Sequence, residues 1–269
     1  MRQACAVFAV AALIVLFAGC GTGGHPRRDA VNRYFDRVDA AQAVLGRERG
    51  PVSEAFHHFS TTHNSPAEVR ALARARFDIK VAREKLQTIG PPVEARQIHA
   101  DLIKIFTLQL GVATELVETS RFVPRYVKAL APLRPAGIAL SMELRATKAW
   151  KPIAVAFERY RASLASVLSR LDELSAPPTL SPGLNAERAA LRRSVALCVS
   201  IGAAVTAHNA PAATVGIREL SSLGASNAAS IARQDQITAA RDYNARLRQL
   251  STLALKVAKN RERMVKALG

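Results

Sequence analysis

Apolar residues recur at alternating spacings of three and four between residues 72 and 89, which predicts one buried face of an α-helix. The tetrapeptide Ser65-Pro66-Ala67-Glu68 precedes this stripe and matches a capping box with proline at the first helical position. Gly90-Pro91-Pro92 follows the stripe, and a second apolar stripe comes next, so the segment is predicted to form a helical hairpin with a Pro-Pro turn. The stripes are Leu72, Ala75, Ile79, Ala82, Leu86 and Ile89, then Ile98, Leu102, Ile105, Gln109 and Val112.

The same arrangement occurs a second time. The first stripes align with an offset of 85 residues, the prolines with an offset of 86 and the second stripes with an offset of 93. We interpret residues 152–209 as a tandem repeat of residues 66–120. The alternative is that unrelated amphipathic hairpins share so generic a pattern. Cys198 aligns with Ile105 and is predicted to be a small buried hydrophobe. The second pair of stripes is Phe157, Tyr160, Leu164, Val167, Leu171 and Leu174, then Leu191, Val195, Cys198, Gly202 and Val205.

The two ends of the chain also carry helical stripes. Each contains Tyr-x-x-Arg followed by Val or Leu, at Tyr34 and at Tyr243, so we expect both terminal helices to pack in the same bundle. The stripes are Val31, Tyr34, Val38, Ala41 and Leu45 at one end, and Ala240, Tyr243, Leu247, Leu250, Ala254, Val257, Arg261, Met264 and Leu268 at the other.

Prolines mark the connection between the two hairpins. Pro124, Pro132 and Pro135 predict an irregular link, and Pro152 is expected to start or kink a helix because it lacks an amide donor. No segment alternates apolar and polar residues as a strand would. The predicted fold is therefore all-α: an elongated helical bundle of two antiparallel helical hairpins with Pro-Pro turns, plus N- and C-terminal helices.

Composition agrees with a helical protein. Apolar residues make up 49% of the 269 residues, enough for a core, and aromatic residues only 5%. Abundant Ala, Leu, Glu, Lys and Arg favour helix, because these side chains lose little freedom there. The formal net charge of +17 predicts attraction to a polyanion such as nucleic acid, anionic lipid or an acidic wall polymer.

The N-terminus has the layout of a secretory signal peptide. Met1-Arg2-Gln3 supplies a positive start, and residues 4–19 carry no charge. Sixteen residues at ~1.5 Å per residue span about 24 Å, which is short for a membrane-crossing helix. An uncleaved anchor is the alternative interpretation.

The end of this run, Phe17-Ala18-Gly19-Cys20, resembles the lipobox of bacterial lipoproteins, with Phe17 in place of the usual Leu. The resemblance implies that the Cys20 thiol carries a diacylglyceryl group and that a dedicated peptidase cuts after Gly19. Gly21-Thr22-Gly23-Gly24-His25-Pro26 would then be a flexible tether. The predicted organisation is residues 1–19 as signal peptide, 20–27 as lipidated Cys and tether, and 28–269 as helical domain. The expected location is the outer face of the cytoplasmic membrane.

Cysteine usage fits this maturation. Cys5 lies in the segment to be removed, and Cys20 would be consumed by lipid. Only Cys198 then remains, so the mature chain has no partner for an intramolecular disulfide.

The candidate chemistry is sparse. His57, His58 and His63 cluster near Glu54 and are the metal-ligand candidates, but no HExxH or CxxC accompanies them, so a polar rim near a helix end is the simpler interpretation. His99 and His208 are expected on helix surfaces. The sequence contains no Gly-x-Ser-x-Gly and no phosphate-binding glycine loop after a strand. No catalytic residue and no cofactor is predicted, and the pattern favours a protein that is not an enzyme without deciding the point.

The expected function is therefore non-enzymatic binding or scaffolding at the cell envelope. The expected partners are the membrane, through lipid on Cys20, and an anionic lipid or acidic wall polymer. Nucleic acid is disfavoured by export and by the lack of an aromatic platform for bases. The alternatives are an envelope enzyme or metal-binding protein that uses His57–His63, and a binder of a small molecule in an interhelical pocket. The sequence does not identify a protein partner.

Overall fold

The computed structural model describes residues 26–46, 66–226 and 228–268, and these residues contain helices and no strand. The all-α prediction is confirmed for this part of the chain. Short 3₁₀ turns at Ala43–Gly46 and Val93–Ala95 supplement the α-helices. In chain order the α-helices are α1 (Pro26–Gln42), α2 (Pro66–Gln87), α3 (Arg96–Leu130), α4 (Leu133–Ala146), α5 (Trp150–Asp172), α6 (Ser181–Thr206), α7 (Ala210–Ser226) and α8 (Ala228–Leu268).

The chain divides into two compact units. Among the described residues, the first unit comprises those up to Ser120 together with those from Asp242 onward, and the second comprises those from Arg121 to Arg241. The two predicted hairpins therefore belong to different units, and α3 and α8 contribute residues to both.

The first unit contains the predicted hairpin of α2 and α3. Leu86 and Ile98 share one apolar cluster near the turn, while Leu72 packs with Val117 at the other end, so the two helices run antiparallel. The Pro-Pro turn lies where it was predicted, and the Ala95 amide donates to the Pro92 carbonyl oxygen at 3.0 Å. The terminal helices complete this core, as predicted, and they contribute Val31, Tyr34, Phe35 and Val38 from α1 and Val257, Met264 and Leu268 from α8.

The second unit contains the predicted hairpin of α5 and α6. Phe157, Leu164 and Leu171 on α5 share one core with Leu191, Cys198 and Val205 on α6. Cys198 is 2% exposed, which confirms its predicted burial. Helix α7 packs closely on α6 at Gly216, which has no side chain. A Cβ atom at this position would lie only 2.6 Å from Ile201 Cγ1. Among the described helices, α6 alone is long and apolar enough to cross a membrane by length and composition.

The link between the hairpins differs from its prediction. An irregular segment was expected at Pro124, Pro132 and Pro135, but α3 continues through Pro124 to Leu130, and α4 begins at Leu133. Pro132 and Pro135 are tolerated because the amides of the first helical turn have no intrahelical acceptor to lose. Pro152 is the third residue of α5, so its prediction as a helix start is confirmed.

Candidate functional site

The residues predicted to carry lipid or metal lie outside the described part of the chain. These are Cys20 and the cluster of His57, His58 and His63, together with Glu54. Within the described ranges, no group of three or more His, Cys, Asp or Glu side chains is arranged to hold a metal ion.

His99 lies on α3 and is half-buried, at the edge of the core rather than on the open helix surface. The Tyr34 hydroxyl lies 3.2 Å from His99 Nδ1, and this contact joins α1 to α3. Burial lowers the pKa of His99 and raises the pKa of Tyr34 to about 12. Both pKa shifts keep the two side chains neutral, so the Tyr34 hydroxyl can donate a hydrogen bond to the His99 imidazole. They also oppose transfer of the proton from Tyr34 to His99.

His208 is exposed, and it follows α6 rather than lying on a helix face. Its φ of 58° is in the left-handed region, and its ring centroid lies 5.2 Å from that of Trp150. A non-glycine residue in this region is uncommon, and it commonly ends a helix. His208 therefore terminates α6 beside the start of α5.

Helix α8 is held to its neighbours by three ion pairs. Arg246 pairs with Glu115 at 2.6 Å, Lys256 with Asp101 at 2.9 Å, and Arg261 with Asp39 at 3.0 Å. The Glu115 and Asp101 carboxylates are on α3, and the Asp39 carboxylate is on α1. The spacing of the three pairs along α8 fixes its register against those helices.

Asp101 is the buried member of this set. Its side chain is 1% exposed, Gln97 Nε2 donates to Oδ1 at 3.2 Å, and Lys256 Nζ lies 2.9 Å from Oδ2. A buried carboxylate is tolerated when its charge is paired and hydrogen-bonded. Oδ1 is thus hydrogen-bonded, and Oδ2 is paired with the Lys256 ammonium by charge, without an aligned hydrogen bond. Because this carboxylate is enclosed among neighbours in the fold, it serves structure rather than chemistry.

The single free thiol of the described residues is also unsuited to chemistry. Burial raises the pKa of Cys198 to about 11, against an ordinary value of 9.0. The thiolate is the nucleophilic form, and it is scarce at neutral pH at such a pKa. Cys198 is a core residue.

The most distinctive feature of the second unit is a stretch of the chain that is rich in exposed basic residues. No Asp or Glu occurs between Glu118 and Glu143, and Glu143 itself pairs with Arg159 at 2.9 Å. Seven exposed basic residues lie from the end of α3 to the start of α5, and none forms an ion pair with another described residue. We call them the basic surface: Arg121, Arg125, Lys128, Arg134, Arg145, Lys148 and Lys151.

This surface is the strongest candidate for function in the described structure. Unpaired, exposed cations attract anions and polyanions, and the attraction is strongest within about 8 Å at physiological salt. The sequence alone could have indicated this basic surface, because residues 119–142 contain no Asp or Glu.

Comparison with known proteins assigns no family. No protein-family model matches the chain, and no curated protein or solved structure is significantly similar to it.

Proposed function

We propose that the protein is a bacterial lipoprotein whose helical domain binds or scaffolds other components at the outer face of the cytoplasmic membrane, without catalysis. The observation that carries this proposal is Phe17-Ala18-Gly19-Cys20, which ends an uncharged run after a positive start. A lipid on Cys20 would hold the domain at the membrane, and residues 21–26 would act as its tether.

The polar groups of the described helices support a role other than catalysis. The buried Asp101 carboxylate is paired with Lys256, and Glu115 and Asp39 are paired with α8 arginines. General acid–base chemistry needs a group within reach of a substrate proton. These carboxylates instead face other helices.

The net charge supports a role at the membrane. Removal of residues 1–19 takes away only Arg2, so the charge falls from +17 to +16. Each Lys or Arg close to an anionic bilayer contributes about 1 kcal/mol, within a Debye length of ~8 Å. A lipid tether would keep these charges close enough to act.

The test is metabolic labelling with a fatty acid such as palmitate in a bacterial host. The wild-type protein should carry label and sediment with membranes, and Cys20→Ala should lose both properties. Cys5→Ala is the matched control, because Cys5 lies in the segment that maturation removes, and it should label normally. Label that persists in Cys20→Ala would overturn the proposal.

A further inference from the structure

Helix α4 exposes large apolar side chains although it belongs to a packed unit. None of its residues is fully buried, and Leu133, Leu140 and Leu144 reach the core as partly buried residues. Ile138 is 52% exposed and Met142 is 66% exposed. Helix α4 thus has one face on the core and a second apolar face turned outward.

The outward face carries charge only at its two ends. Arg134, Ile138 and Met142 are spaced by four, and Arg145 follows three residues later, so all four lie along one side of the helix. Residues 135–142 contain no charge, and both arginines are exposed. The stripe therefore reads basic, apolar, apolar, basic over the length of α4.

Further exposed basic residues flank the helix in the sequence. Lys148 and Lys151 follow α4, and Arg125 and Lys128 precede it. Amphipathic helices that lie in a membrane interface combine apolar side chains at the acyl boundary with Lys and Arg near lipid phosphates. The exposed face of α4 has both parts.

We propose that α4 is a docking helix for an anionic lipid surface. Ile138 and Met142 enter the boundary between headgroups and acyl chains, while Arg134, Arg145 and Lys148 contact lipid phosphates. This proposal deepens the proposed function and rests on it, because the lipid on Cys20 is what brings the protein to the bilayer. Helix α4 then orients the second unit on that bilayer.

Charge favours lipid over a second copy of this chain. A twofold contact through α4 would bring like-charged surfaces together, and no acidic residue between Glu118 and Glu143 could offset them. An anionic bilayer offsets these charges and accepts the apolar side chains at the same time.

Oxidation of Met142 tests the contact in the whole protein. The chain produced in a bacterium is reconstituted in phosphatidylglycerol vesicles or in phosphatidylcholine vesicles, treated with dilute peroxide, and analysed by mass spectrometry. Oxidation of an exposed methionine follows access to solvent. We expect Met142 to oxidise roughly fivefold more slowly on the anionic vesicles, with protection lost at high salt. Met264 is partly buried against the core of the first unit and is the internal control, with one rate on both lipids.

Two variants separate this proposal from general charge attraction. Arg134→Gln with Arg145→Gln should abolish the protection of Met142, whereas Arg193→Gln with Arg218→Gln, which removes the same charge from exposed positions on α6 and α7, should retain it. Cys198 is buried in the same unit as these substitutions, so its continued resistance to a thiol reagent reports that each variant is folded. Equal Met142 rates on anionic and neutral vesicles would overturn the proposal. Protection that instead rises with protein concentration in detergent would overturn it in favour of a second copy.

The same samples distinguish the two proposals. The mass of the N-terminal peptide shows whether Cys20 carries lipid. Lipid on Cys20 without protection of Met142 overturns only the docking helix, and protection without lipid overturns only the lipoprotein assignment.

Discussion

The Arg261 guanidinium donates two hydrogen bonds to the Asp39 carboxylate, at 3.2 and 3.0 Å, and joins α8 to α1, the last and first of the described helices. Its Cζ atom also lies 4.3 Å from the centroid of the Phe35 ring. A planar guanidinium directs two parallel N–H donors at the carboxylate while its face lies on the ring, and an ammonium lacks this planar fork. Residues 222 positions apart in the sequence are thus held together by one side chain.

We therefore expect Arg261→Lys to lower the free energy of unfolding by about 1–2 kcal/mol, through loss of the bidentate geometry and the stacking on Phe35. The Arg261 and Asp39 side chains are roughly one-third exposed, and solvent screens their attraction. The expected loss of stability is therefore smaller than for a fully buried ion pair. Urea denaturation monitored by circular dichroism provides the measurement. Arg263→Lys is the control and should change little, since among the described residues the Arg263 guanidinium donates to Asn260 on its own helix and pairs with no carboxylate. Equal stability of the two variants would contradict the assigned role of Arg261.

The Asp101–Lys256 pair predicts a non-additive double substitution. Lys256→Met should destabilise by about 2–3 kcal/mol, because it leaves a carboxylate that is 1% exposed without its cation. Asp101→Asn in the same chain removes that charge and keeps an acceptor for Gln97, so the double variant should regain at least about 1 kcal/mol. Urea midpoints of the wild type, both single variants and the double variant give the coupling directly. Strict additivity would show that the two side chains do not interact.

Two glycines on neighbouring helices predict opposite effects of the same substitution. A Cβ at Gly216 would lie 2.6 Å from Ile201 Cγ1, whereas nothing lies within 4 Å of a Cβ at Gly202. Gly216→Ala should cost about 1–3 kcal/mol through overpacking, and Gly202→Ala should stabilise α6 by up to about 1 kcal/mol. Thermal unfolding of both variants measures the contrast. A smaller residue at position 201 should relieve the Gly216→Ala defect, and failure of that rescue would argue against close packing there.

Local periodicity accounts for what the sequence predicted well. The stripe from Leu72 to Ile89 marked α2, and Pro91-Pro92 marked the turn, because a buried helical face and a missing amide act within a few residues. The link at Pro124–Pro135 was predicted wrongly, because proline is compatible with a first helical turn and with a long helix packed on both sides of it. Propensity there is overridden by tertiary packing.

Contacts between residues far apart in the chain could not be predicted from the sequence. Nothing in the stripes indicated that Tyr34 meets His99 across 65 residues, or that Lys256 approaches Asp101. Both depend on how whole helices pack, which no local pattern encodes. The outward stripe of α4 is different: the spacing of Arg134, Ile138 and Met142 was readable, but only the structure shows that Leu140 and Leu144 occupy the core side and leave that stripe uncovered.

Cys198 predicts how the second unit responds to alkali. Its pKa is raised by burial from 9.0 to about 11, so between these values the unfolded chain loses the proton while the folded chain keeps it. Ionisation then favours the unfolded state, so the stability contributed by this group is complete below pH 9 and is lost as pH rises toward 11. Cys198→Ala should remove this part of the pH dependence, whereas the partly buried Tyr126, whose pKa is raised to about 12, adds a separate loss at higher pH in both proteins.

The same burial predicts an inert thiol. Native protein at pH 8 should react with a thiol reagent far more slowly than protein unfolded in urea, because both access and thiolate are lacking. Cys198→Ser should lower the free energy of unfolding by about 1–3 kcal/mol, since a hydroxyl in an apolar site loses its hydrogen bonds to water. Cys198→Ala, which leaves no unsatisfied hydroxyl, separates that polar penalty from the loss of packing. Rapid labelling of native Cys198 would show that α6 does not present this residue to the core, and the register of the α5–α6 hairpin would then be wrong.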